Sequence, residues 1–139
     1  MNMTKIKKGQ VPREMDKKAM KSVINDWKKL LSTMSDENIH MKNRLSILLK
    51  ENFDTRLLPK VENLHSHLLE EDGFINLLRH NIGELDSLIE TEEQKNRSDI
   101  MASILQSQIL TARIRLSNLK SAFNDFFLQE NGSSPSQIE

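Results

Sequence analysis

Two copies of one spacing offer the most direct chemistry in this chain. Glu37-Asn38-Ile39-His40 and Glu62-Asn63-Leu64-His65 each set a carboxylate three residues before an imidazole. On a helix that interval puts both groups on one face. Two such pairs, with a glutamate from each of two further helices, build the dimetal sites of carboxylate four-helix bundles. The candidate metal ligands are therefore Glu37, His40, Glu62 and His65. Their surroundings count against a site. Glu62 and His65 flank the apolar seam of their own helix instead of entering it, and no acid lies between Asp99 and Asp125 in the last helix. The expectation is solvated helix surface, with no metal or other cofactor.

A second cluster, His65, His67, Glu70, Glu71 and His80, is sparser on a helix than in the sequence. His67 and Glu71 are four apart and can touch. His80 lies some 220° around the axis from His67 at 100° per residue, so the two share no ligand. Glu71 sits inside a Leu and Ile seam, where a charge serves as a register device paired to His67 or to a base on a neighbouring helix.

Other catalytic arrangements are absent from the sequence. The glycines stand at 9, 73, 83 and 132, too far apart to cradle a phosphate, and nothing in the spacing of the serines and histidines orders a nucleophile and base. The lack of cysteine removes disulfides, thiolate metal sites and a thiol nucleophile together. A non-enzymatic role is expected. Asn96-Arg97-Ser98 and Asn131-Gly132-Ser133 match the glycosylation sequon, which has no consequence without a secretory signal.

The elements that must position these residues are helices. In 139 residues, 37% hydrophobic and 29% charged, there are five Phe, one Trp and no Tyr, poor material for sheets and suited to one domain of solvated helices. The predicted fold is all-α, an elongated antiparallel bundle of about four helices, two of them long and paired as a coiled-coil-like hairpin. Pro12 suits the first turn of a helix, and Met20, Val23, Ile24, Trp27, Leu30, Leu31 and Met34 recur at helical spacing to residue 34. Ser35-Asp36-Glu37 reads as a cap and acidic first turn, opening a second helix over 36–51. After a turn at 52–54, the seam Val61, Leu64, Leu68, Ile75, Leu78, Ile82, Leu85 and Ile89 keeps its phase across Asp72-Gly73, so one helix spans 55–90. Thr91-Glu92-Glu93-Gln94 has the form of a capping box and Ser98 is a second cap, so the last helix starts at 92 or 98 and runs to 130. Its seam is Ala102, Leu105, Ile109, Ala112, Leu116, Leu119, Phe123 and Phe126. The domain is thus 12–130, between a flexible basic segment at 1–11 and a disordered tail at 131–139.

Charge is balanced overall, with 20 Lys and Arg against 20 Asp and Glu, but residues 1–29 carry a net +6 and the remainder a net −6. That split suits internal pairing between the first helix and the acidic remainder. The competing use is an anionic membrane surface or nucleic acid bound by the N-terminal lysines, with Trp27 as anchor. A lone Trp on an apolar stripe reads more simply as core. No apolar run is long enough to span a membrane or form a signal segment, and the chain reads as cytoplasmic.

Function is therefore sought in surfaces. Leu58, Leu69, Phe74, Leu77 and Leu88 lie outside the main seam and must be covered by other helices or a second subunit. The expected function is a helical interaction or scaffold protein, whose partner is itself, as a homodimer, or another helical protein. The alternatives are the carboxylate–histidine metal bundle and the anionic-surface binder.

Overall fold

Three unbroken heptad seams organise the chain. The computed structural model describes residues 16–51, 54–91 and 95–132, the last three by backbone alone. The described residues are α1 (Lys17–Glu51), a 3₁₀ turn (Thr55–Leu57) running into α2 (Leu58–Leu88), and α3 (Lys95–Gly132). They form an antiparallel three-helix bundle. α2 packs closely along both neighbours, and α1 and α3 approach each other less closely. At 1.5 Å per residue the helices are roughly 45 to 60 Å long.

In α1 the inward residues are Met20, Ile24, Trp27, Leu31, Met34, Asn38, Met41, Leu45 and Leu48, alternately four and three apart. Every seam residue expected from Val61 to Phe126 is buried, Glu71 among them. α3 begins its seam one step earlier, at Ser98. Such spacing puts one face of each helix against the others along the whole bundle.

The bundle has three helices where four were expected, because the described part of the helix predicted over 12–34 runs on into the one predicted over 36–51. Ser35 and Asp36 lie inside α1. A serine caps only where the chain leaves helical geometry, and burial of Met34, Asn38 and Met41 against the other helices holds the helix through that point. The two-piece cover expected for the long hairpin is therefore a single full-length helix.

Helix ends follow local chemistry. The Asp54 carboxylate accepts from the Arg56 backbone N–H at 3.0 Å, and Pro59 stands in the first turn of α2, where its missing N–H costs nothing. At the other connection the Thr91 hydroxyl donates to the Leu88 carbonyl at 3.0 Å, at the end of α2. Ser98 is not the cap of α3, since it lies inside the helix and its hydroxyl donates to the Lys95 carbonyl within the first turn. The segment 1–11, the Pro12 helix start, residues 52, 53 and 92–94, and the tail from 133 lie outside the described residues.

Candidate interaction surface

Polar groups on the inner and flanking positions are largely committed to holding the bundle together. Asn38 is fully buried, and its Nδ2 donates to the Leu68 carbonyl at 2.8 Å and to the Asp72 carboxylate, which also pairs with Lys42. On the flank of α2 that faces α3, Arg115 donates to Glu71 through Nε at 3.1 Å and a terminal nitrogen at 2.9 Å. The same guanidinium stacks 4.0 Å from the Phe74 ring. Glu71 thus takes its partner from the neighbouring helix, while the His67 Nδ1 bonds the Asn63 carbonyl.

Internal charge pairing takes up much of the basic excess in α1. Lys17 and Lys21 reach Glu90, and Lys21 and Lys28 reach Asp86. The hydrogen bond from Lys21, then that from Lys17, holds the Glu90 carboxyl down at about 2. Partial burial pushes Asp86 up, but the hydrogen bonds from Lys21 and Lys28 outweigh it and the net shift is down. Lys21 is raised in turn, first by Glu90 and then by Asp86. Trp27 packs against the core.

The four candidate metal ligands do not converge. Glu37 accepts from Lys120 at 3.1 Å, and both line a cleft of about 350 Å³ between α1 and α3 together with His40, Arg44 and Phe123. Glu62 and His65 are exposed on α2. In the register that pairs Asn38 with Asp72, His65 lies roughly 7 to 8 Å along the bundle from the level of His40. Among the described residues no three His, Asp or Glu side chains are grouped to hold a metal ion.

The five candidate interface residues divide. Leu69 and Leu77 are about half exposed. Phe74 lies under Arg115, Leu58 is half-buried, and Leu88 lines a cleft with Met101 of α3. At the far end of α3, Phe123, Phe126 and Phe127 are buried in mutual ring contact, with the Arg44 guanidinium 4.3 Å from the Phe127 centroid. They are core.

The outer face of α3 was not singled out by the sequence reading. Ile100, Ile104, Leu110 and Ile114 are each more than half exposed. They project from the side opposite the seam, interspersed with Ser103, Ser107 and Thr111. No charged residue occurs from Ile100 through Ala112. A solvated helix face ordinarily carries charge, and this one is uncharged for more than three turns, with Ile and Leu set among Ser and Thr. Among the described residues no helix is long and apolar enough to cross a membrane.

No family model, no curated protein and no solved structure matches this chain.

Proposed function

We propose that this protein is a non-enzymatic helical interaction module, and that the outer face of α3 is where it docks a copy of itself or another helix. The observation that carries this reading is the charge-free stretch from Ile100 to Ala112 with its outward Ile and Leu side chains. α3 already buries a complete seam, so folding does not require these residues to be apolar. Covering each would contribute on the order of 1 kcal/mol, half the value of a fully exposed side chain. The internal ion pairs of Lys17, Lys21 and Lys28 leave less of α1 free for an anionic surface.

The test is a photo-crosslinking side chain placed at Leu110 in cells that make the protein, compared with the same probe at exposed Lys29 of α1. Protein adducts from Leu110 and not from Lys29 support the reading. Equal labelling from both positions, or none from Leu110, contradicts it.

A further inference from the structure

The outward residues of α3 are arranged symmetrically about Ser107. Ile100 and Ile114 lie seven residues to either side of it, Ile104 and Leu110 three, and Ser103 and Thr111 four. At 100° per residue each pair straddles the direction of Ser107, so the face presents an apolar diamond around a small centre. A face with this order is complementary to itself when turned end for end. That is the requirement of a two-fold contact, in which residue i meets j and j meets i.

Charge selects the same alignment. Side by side in parallel, two copies of α3 would set Arg97, Asp99 and Arg113 each beside its own duplicate. Turned about Ser107, Arg97 comes level with Ser117, Arg113 with Met101, and Asp99 with Arg115, whose charges already pair with Lys95 and Glu71 inside the protomer, so no like charges are level. The helix dipoles are then antiparallel as well. Eight half-exposed Ile and Leu side chains, with the Ser, Thr and Gln among them, offer roughly 1,000 Å² of buried surface, the lower bound for a specific interface.

We infer that the occupant of the α3 face is a second copy of this chain, docked antiparallel about a two-fold axis at Ser107, with Ile100 against Ile114 and Ile104 against Leu110. This rests on the docking role proposed for α3 and names its partner. The small area makes the dimer reversible. Ser103 and Ser107 keep the centre small enough for the two helices to approach closely.

The chain has no cysteine, so single cysteines report the contact without background. Under mild oxidation, full-length Ser107→Cys should form disulfide-linked dimer about tenfold faster or more than Ser66→Cys, an exposed site on α2, because the contact raises the local thiol concentration. A mixture of Ser103→Cys and Thr111→Cys should give the mixed dimer in excess of both homodimers. Each variant is first checked for an unchanged thermal melt. Homodimers in excess would overturn the antiparallel alignment. Linkage of Ser107→Cys no faster than Ser66→Cys would overturn the self-contact. If the Leu110 photoprobe then still trapped a protein of different mass, the docking role of α3 would stand without this partner, and if it trapped nothing both would fall.

Discussion

Glu71 and Asp72 are neighbours on α2 and hold opposite partners, Glu71 taking Arg115 of α3 and Asp72 taking Asn38 and Lys42 of α1. Successive side chains on a helix diverge by about 100°, so one turn of α2 clamps both flanking helices near the same height. A one-heptad slip of either neighbour would break a clamp while leaving the apolar seams in contact. Asn38 and Glu71 act in this way as register devices within seams that are otherwise apolar.

The Glu71–Arg115 pair should respond asymmetrically to mutation. Arg115→Met leaves a buried carboxylate without its counter-charge and should cost about 3 to 5 kcal/mol. Glu71→Leu removes the buried charge, and the half-exposed Arg115 keeps both water and the Phe74 ring, so the loss should be much smaller. Urea unfolding of the two variants measures the difference. Equal losses would show that the carboxylate is not the sensitive partner.

Gly73 and Gly83 lie within α2, and a Cβ built on either has no neighbour within 4 Å. Gly73→Ala and Gly83→Ala should each stabilise the protein by about 1 kcal/mol, by restricting the unfolded chain and favouring helix. Thermal melts that fall would place an unseen constraint at these positions.

The seams of α2 and α3 were legible because apolar residues hold a strict heptad phase there. α1 was not, because its seam passes through Asn38, whose polarity hides the repeat, just after Ser35-Asp36 imitates a cap. The phase test that carried the helix through Asp72-Gly73 also carries it from Met34 through Asn38 to Met41. Among surface residues, Leu69 and Leu77 were found by their off-seam positions, while the partner that covers Phe74, Arg115, lies 41 residues away in the sequence. The α3 face had a signal of its own in the missing charges from Ile100 to Ala112, masked because the helix already had a complete seam.

The lysine cluster sets an acid limit. Glu90 and Asp86 have folded pKa values below their ordinary ones, so their contribution is complete above the unfolded range near 4.5 and is lost as pH falls towards about 2. A carboxyl titration followed by NMR should place Glu90 near 2 in the wild type and move it up in Lys21→Ala, whose side chain is the largest cause of the shift. A wild-type Glu90 that titrates near 4.5 would mean that the Lys17 and Lys21 contacts do not persist in solution.

Separation of the two Glu-x-x-His pairs has a consequence for metal content. Purified protein should hold no stoichiometric iron, manganese or zinc, and His40→Ala with His65→Ala should leave the melt unchanged within the range typical of surface substitutions. A chelator that lowered the melting temperature would point to a bound ion.

The self-contact across α3 is tested most directly by the mass of the protein in solution as its concentration is raised, for the wild type and for Ile104→Glu with Leu110→Glu. Both side chains are exposed in the bundle, so the double variant should keep the wild-type melt. The expected result is a wild type that moves from the 16.1 kDa monomer towards twice that mass, and a variant that stays at 16.1 kDa. A variant that associates as the wild type does, or a wild type that remains monomeric at every concentration reached, would contradict it.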